Sequence, residues 1–171
     1  AWKERKNKKV EPAVTSSGVA KPTVDVSNLK FSHLHNHTQF SVLQSTSDVG
    51  DLVKKAAEYN MPAVAMTDHG NMYGAFQFWQ SVDKQNKSIK AHNEAVDKGE
   101  KQEPKKNELK CIIGCELYVC KDHKDKSKQE NGFTQVLIAK NRIGYQNLSK
   151  LSSVGLIDGF YYVPRIDKDL L

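Results

Sequence analysis

Three histidines separated by single residues are the feature of this sequence best suited to chemistry. The segment from Phe31 to Thr38 reads Phe-Ser-His-Leu-His-Asn-His-Thr, which places His33, His35 and His37 two positions apart. Side chains on a β-strand alternate between its two faces, so we expect all three imidazoles to project from one face. A packed core rarely accepts three such rings, because each has a ring nitrogen that must find a partner. The spacing therefore favours a metal site over its alternative, a polar edge strand.

Two later segments supply further candidate ligands. Asp68 and His69 directly follow the short apolar run 63–67. In α/β proteins, functional residues gather at the carboxyl ends of strands. Glu116 stands in the apolar stretch 111–119, where a buried carboxylate needs a cation or a hydrogen-bond donor as partner. The predicted metal ligands are His35, His37, His69 and Glu116.

A site with this composition suits metal-assisted hydrolysis of a phosphate ester. Neutral histidines bind a divalent cation, while carboxylates offset its charge and can bridge two ions roughly 3.5–4 Å apart. Zinc is the expected metal, with manganese and magnesium as alternatives. Asp68 is open to three interpretations: it ligates a metal, it orients a ligating histidine, or it binds nearby backbone amides.

The surrounding sequence predicts alternating strands and helices. We expect a strand over 30–35 and a helix that begins near Val49, capped by Ser47 or Asp48, and ends at Asn60. A helix beginning after Asn71 is expected to continue past Lys90, and a helix capped by Asn141 to end near Gly155. The other predicted elements are strands over 63–67, 111–119 and 134–139, and a loop over 159–164 leading to a short helix. Helices between strands are typical of a parallel sheet, hence of a barrel or an open α/β layer.

Composition places limits on the domain organisation. The chain has 171 residues and a formal net charge of +6, which suits one domain with a modest basic excess. Residues 1–29 are polar, basic at first, and predict a flexible arm, while about 91–110 predict a charged surface insertion, helical in part. Residues 30–171 would form the domain itself. Because the first residue is Ala rather than Met, we expect a fragment of a longer protein.

The remaining cysteines and histidines are expected to lie outside the metal site. Three cysteines without a dense framework fit a reducing cytosol, and with no signal peptide or apolar span they predict a cytoplasmic protein away from membranes. Cys111, Cys115 and Cys120 cannot all face one zinc ion from a single strand, so we expect core thiols. His92 and His123 lie in lysine-rich stretches and are expected to be exposed.

Three motifs resemble the PHP domain, named after polymerases and histidinol phosphatases. They are Leu34-His-Asn-His-Thr38, Met66-Thr-Asp-His-Gly-Asn71 and Ile113-Gly-Cys-Glu116, in the order and spacing of that family. Further stretches resemble the N-terminal PHP domain of bacterial DNA polymerase III alpha subunits. These stretches are 74–78, 137–148 and 159–165, so that the resemblance covers about residues 30–171.

The resemblance implies a fold and a parent activity. The fold would be a distorted seven-stranded β/α barrel, here incomplete, with metals at the carboxyl ends of its strands. The parent would be a DNA-directed DNA polymerase, a nucleotidyltransferase of DNA replication that meets DNA and other replicase subunits. The PHP domain would support the structure and could trim DNA as a metal-dependent 3′–5′ exonuclease. The incomplete sheet could also pair its exposed edge with a second copy.

Two positions depart from the family pattern. Gln44 stands where the family often has an aspartate, and Thr134 where it often has a histidine. Neither residue type is a good ligand for a transition metal. Asp48 could replace the aspartate that is missing at position 44, although it lies four residues further along the chain. His33 stands where stand-alone phosphoesterases of the family tend to have aspartate. These departures favour a partial metal site and a structural role, with a stand-alone metal phosphoesterase as the alternative function.

Overall fold

The computed structural model describes residues 29–171, so that nearly all of the predicted arm over 1–29 lies outside the described residues. Three helices and four strands follow one another along the chain. They are α1 (Val49–Glu58), β1 (Ala63–Met66), α2 (Ala75–Asp97), β2 (Lys110–Cys120), β3 (Phe133–Ile138), α3 (Arg142–Ile157) and β4 (Arg165–Asp167). The chain is therefore a mixed α/β structure, as the alternating pattern predicts.

The eleven-residue strand β2 is the centre of an open four-stranded sheet. Strands β1 and β4 pair in parallel with successive parts of β2, and β3 pairs with it antiparallel. The expectation of a parallel sheet is therefore wrong for β3. The segment 121–132 between β2 and β3 contains no helix, and a connection without a crossover element returns the chain in the opposite direction.

Capping residues explain where two of the helices begin. The Asp48 carboxylate accepts hydrogen bonds from the backbone N–H groups of Gly50 and Asp51, which would otherwise lack partners in the first turn of α1. Asn141 caps α3 in the same way by accepting from the N–H of Gly144. Both caps agree with the sequence prediction.

Helix α2 begins later than the sequence predicts. Its N-cap is Gly74, whereas Asn71 accepts a hydrogen bond from the N–H of Tyr73 within a turn that precedes the helix. The Asn71 amide also donates to the carbonyls of Phe40 and His69. Asn71 therefore holds the loop after β1 instead of starting the helix.

The main core lies between α1, α2 and β1. Val49, Val53, Ala56 and Ala57 are buried at positions i, i+4, i+7 and i+8 of α1, which is the apolar stripe of an amphipathic helix. They pack with Phe78, which is fully buried in α2, and with the inward side chains of β1. Burying a phenylalanine side chain of this kind contributes about 1.5–3 kcal/mol.

Residues 98–109 return along α2 as an extended strap. The Asn93 side chain donates to the carbonyl of Lys106 and accepts from its N–H, and Asn86 does the same with Leu109. An amide side chain that binds one residue in this way satisfies both backbone groups of that residue, which would otherwise need a neighbouring strand as partner. Residues 91–110 are helical in part, as expected, because α2 continues to Asp97.

Two expected elements take another form. Residues 30–35 form no strand. One backbone hydrogen bond joins them to β1, from Ala65 N–H to His33 O, and a second follows just beyond both segments, from Thr67 N–H to Asn36 O. Leu34 is consequently half-exposed. The short helix expected after 164 is wrong as well, because residues 165–167 form β4.

Within residues 29–171, none of the helices is both long enough and apolar enough to cross a membrane. The described strands form a sheet that does not close on itself.

Candidate metal centre

The parallel register of β1 and β2 places His69 beside Glu116. Ala63 is the partner of Lys110 and Met66 the partner of Ile113, a constant offset of 47 residues. The isolated bridge between His69 and Glu116 keeps the same offset beyond the end of β1. The turn that follows needs a positive φ, which Gly70 supplies at 70° while its N–H donates to the Glu116 carbonyl.

Three imidazoles converge on a single oxygen of Glu116. Its Oε2 atom lies 2.8 Å from His35 Nε2, 2.5 Å from His37 Nε2 and 3.5 Å from His69 Nδ1. The rings of His37 and His69 meet edge to face, with centroids 5.5 Å apart. We call these four residues the Glu116 cluster. All four predicted ligands are brought together by segments that are far apart in the sequence.

The cluster is open on one side and closed on the other. The His35 side chain is 54% exposed, whereas the side chains of Glu116 and His69 are 7% and 13% exposed. Burial lowers the pKa of His69, and the nearby Glu116 carboxylate opposes that shift only in part. His69 is therefore predominantly neutral at neutral pH, the state in which an imidazole nitrogen can bind a metal.

Burial and hydrogen bonding act in opposite directions on Glu116. Burial alone would raise the pKa of this carboxyl group, but the hydrogen bonds with His35 and His37 outweigh it, and the pKa is lowered. The Thr134 hydroxyl adds a smaller lowering effect. Glu116 is therefore ionised at neutral pH, although it is buried on an interior strand.

Unpaired nitrogen atoms show that the residues fit a metal ion. Both ring nitrogens of His69 are buried, and within residues 29–171 neither makes a hydrogen bond of standard geometry, Nδ1 lying 3.5 Å from Glu116 Oε2. Such a state is costly for a polar group unless something binds it. His35, His37 and Glu116 offer ligand atoms that all lie within 4.8 Å of one another. Nitrogen from imidazole together with carboxylate oxygen is a donor set typical of zinc and related divalent metals.

Asp68 lies next to His69 but turns away from the cluster. It is fully buried, and it accepts hydrogen bonds from Thr38 N–H at 2.6 Å, Thr38 Oγ1 at 2.7 Å and Ser41 Oγ at 2.7 Å. The Ser41 oxygen in turn accepts from the N–H of His69 at 3.0 Å. We call Thr38, Ser41 and Asp68 the Asp68 network. It joins the loop after His37 to the backbone of His69, so that it can hold both histidines in position.

The other candidate residues lie outside the cluster. His33 is exposed and meets Phe31 edge to face. Asp48 caps α1, and Gln44 is exposed in the loop before it. Thr134 is on β3, with its hydroxyl near Glu116. Of the two positions that depart from the family pattern, Thr134 therefore adjoins the cluster.

Sequence reasoning missed two groups around the site. The Tyr118 ring packs against His69 in a tilted arrangement, with ring centroids 4.6 Å apart. Its position could have been expected, because it follows Glu116 by two residues and so shares a face of β2 with it. The role of Thr38 and Ser41 could not be inferred, since hydroxyl residues after a histidine motif are common in loops.

Comparison with known proteins agrees with this arrangement. The family model of the PHP domain matches residues 33–171. DNA polymerase III subunit alpha of Chlamydia trachomatis serovar D is 41% identical over 142 residues, which are 81% of this chain and 10% of that protein. The corresponding subunit of Borreliella burgdorferi is 38% identical over 82% of this chain and 11% of that protein. That of Helicobacter pylori strain 26695 is 39% identical over 84% of this chain and 10% of that protein.

The chain belongs to the PHP domain family. It spans about a tenth of the length of the polymerase subunits described above.

Proposed function

We propose that this chain is the first part of the N-terminal PHP domain of a DNA polymerase III alpha subunit, and that it supports the structure around a bound divalent metal ion. The parent protein would extend DNA by templated nucleotidyl transfer and would meet DNA and other replicase subunits. This assignment rests on the match to polymerase alpha subunits over four-fifths of the chain. The same relatives favour the polymerase over a stand-alone phosphoesterase.

The convergence of three histidines on one Glu116 oxygen is the observation that carries the metal proposal. An ionised carboxylate and neutral imidazoles would hold a divalent cation through His35, His37, His69 and Glu116. Zinc suits this donor set best, with manganese or magnesium as weaker alternatives. A bound metal would supply Lewis-acid chemistry at this position.

The residues of the chain have separate tasks in this proposal. His69 and Glu116 are fixed by the register of two strands, and His35 and His37 by the loop that the Asp68 network holds. Tyr118 packs against the ring of His69 and restricts its movement. His35, the most exposed of the four, lies where a ligand from solution would first meet the site.

A structural role is favoured over DNA trimming. Trimming by two metals needs bridging and terminal ligands for both ions. Gln44 is exposed and Thr134 offers only a hydroxyl near Glu116, so two positions that could complete a second ion are weak ligands. We further propose that the four described strands are part of a seven-stranded barrel and that residues 30–171 form one domain with a charged insertion near 91–110.

Zinc-dependent stability tests the metal proposal. Urea unfolding is measured with zinc present and after chelation for the wild type, His35→Ala and His33→Ala. Zinc at a hundred times its dissociation constant should stabilise the wild type by about 2.7 kcal/mol. His35→Ala should lose most of that gain. His33→Ala removes an exposed neighbouring histidine that lies outside the cluster and should keep it. Equal zinc effects in all three proteins would refute the site.

An experiment on the intact polymerase subunit distinguishes a structural role of the PHP domain from trimming of DNA. Single-turnover digestion of a mismatched primer is followed with and without zinc. The structural role predicts no metal-dependent trimming by the PHP domain. Trimming that disappears in His35→Ala would overturn that role and establish an exonuclease site, while leaving the metal proposal intact.

A further inference from the structure

A second group of potential ligands lies where β2 and β4 end. Cys120 and Asp167 are register partners at the last positions of these two parallel strands. Asp122 and His123 follow β2 after one intervening residue, so the three side chains of Asp122, His123 and Asp167 meet at a carboxyl edge of the sheet. Their ligand atoms all lie within 4.8 Å of one another, and none belongs to the Glu116 cluster.

His123 is buried, contrary to the exposed position expected for a lysine-rich stretch. It is 7% exposed, and Asp167 is 8% exposed. The His123 ring nitrogen Nδ1 and the His123 backbone N–H both contact the same Asp167 oxygen, Oδ2. His92 is also largely covered, at 10% side-chain exposure, but its ring contacts the exposed strap residues Glu103 and Pro104 rather than a buried carboxylate.

Among the described residues, two oxygen atoms of this group make no hydrogen bond of standard geometry. Asp167 Oδ1 is buried and is one of them, although the backbone N–H of Leu170 also interacts with this carboxylate. A buried carboxylate oxygen in that state is costly unless a cation or donor reaches it. Asp122 is exposed, and only its Oδ1 is bound, by the N–H of Lys124 at 2.8 Å. Its other oxygen is free to turn toward Asp167 from the solvent side.

The nearby Arg165 forms no hydrogen bond or ion pair with Asp122 or Asp167. Its guanidinium is fully buried and donates to four backbone carbonyls, those of Gly159, Glu130, His123 and Asp125. The same bonds fix the loop after β2, so His123 is held in place before any ligand arrives.

We propose that Asp122, His123 and Asp167 form a second divalent-cation site. One imidazole nitrogen and two carboxylate groups are a donor set that zinc and manganese accept, with water completing the coordination. The cation would take the place of the direct contact between His123 and Asp167 and satisfy Asp167 Oδ1. Because the loop after β2 supplies two of the ligands and β4 supplies the third, the ion would join the end of the described chain to the end of the central strand.

Zinc stoichiometry tests this second site. Chelator-treated protein is dialysed against zinc, and bound zinc per chain is measured for the wild type, Asp122→Asn, Asp167→Asn and Asp125→Asn. Each of the first two variants should bind one zinc ion fewer than the wild type or bind that ion at least tenfold more weakly. Asp125→Asn makes the same charge change in the same loop outside the group and should bind as the wild type does.

Two comparisons keep the result decisive. Asp122 is exposed, so Asp122→Asn should retain the circular dichroism of the wild type even if Asp167→Asn fails to fold. Glu116→Gln should remove a different ion and leave this one bound, which separates the site from the Glu116 cluster. The proposal is wrong if Asp122→Asn binds as much zinc, and as tightly, as Asp125→Asn.

Discussion

Asp68 and His69 are neighbours in the sequence, yet they belong to regions with opposite properties. In the Asp68 network, a fully buried carboxylate accepts three hydrogen bonds, all of them 2.7 Å or shorter, from the loop after His37. In the Glu116 cluster, three imidazoles approach one oxygen, and among the described residues neither buried nitrogen of His69 makes a hydrogen bond of standard geometry. The polar atoms of the Asp68 network find their hydrogen-bond partners within the protein, whereas those of His69 in the Glu116 cluster do not.

The difference separates two uses of buried polar residues. A network whose donors and acceptors are all paired rigidifies the fold and has no capacity for a ligand. A group with unpaired nitrogens carries a cost that only a bound ion or molecule can offset. We infer that the Asp68 network holds the backbone in place so that the Glu116 cluster can remain unsatisfied.

The largest effect is expected for Asp68→Asn. The substitution replaces one acceptor oxygen by a donor amide among groups that already donate, so buried hydrogen bonds are lost. The free energy of unfolding should fall by about 2–4 kcal/mol without metal. Urea unfolding in the presence of a chelator measures it. Asp83→Asn is the control, since it removes only a partly exposed ion pair with Lys87 and should cost less than about 1 kcal/mol.

Asp68→Asn and Asp83→Asn with equal stability would show that the Asp68 network does not support the fold. The contrast between the two regions would then be lost, and Asp68 would return to the status of a candidate metal ligand.

An intermediate effect is expected for Ser41→Ala, which tests whether the two regions are coupled. Ser41 Oγ donates to Asp68 and accepts from the N–H of His69, so its loss leaves that backbone group unpaired. Stability should fall by about 1–2 kcal/mol. Zinc affinity should fall by about tenfold, the lower end of the range for residues that orient a ligand. Calorimetric titration with zinc measures the second effect.

Ser45→Ala is the matched control for Ser41→Ala. Ser45 Oγ donates to the His37 carbonyl but contacts neither Asp68 nor His69. Similar zinc affinities for both variants would mean that the Asp68 network stabilises the fold without positioning His69.

The sequence was sufficient for the members of the Glu116 cluster because strand ends and periodicity restrict where side chains can lie. The apolar run 63–67 and the stretch 111–119 correspond to β1 and the greater part of β2, and one constant offset between them places His69 beside Glu116. The offset itself could not be read from the sequence, because register depends on packing across both strands. The positions of these residues at or near strand ends predicted that they converge, and the family resemblance pointed to the same residues.

The elements that were predicted incorrectly from the sequence depend on contacts between residues that are far apart in the chain. Residues 30–35 have the alternation of a strand but make only one backbone hydrogen bond to β1, through the carbonyl of His33. The antiparallel direction of β3 follows from a helix-free connection whose path is set by Arg165, a residue more than thirty positions away from most of it. The burial of His123 has the same origin, since its partner Asp167 is 44 residues further on.

The smallest effect is expected for substitutions of Asp48, a residue that the sequence suggests as a replacement for a missing metal ligand. Its carboxylate accepts from Gly50 and Asp51 at the start of α1, and its other oxygen meets the Gln39 amide at 3.2 Å. Asp48→Ala should therefore lower stability by about 1 kcal/mol, whereas Asp48→Asn, which can still cap the helix, should change it by less than about 0.5 kcal/mol. Zinc affinity should not change in either variant, because neither carboxylate oxygen reaches the Glu116 cluster. A tenfold weaker zinc affinity in both variants would instead place Asp48 among the ligands. The loop before α1 would then have to rearrange when zinc binds, and the division between residues that hold the site and residues that bind the metal would fail at this position.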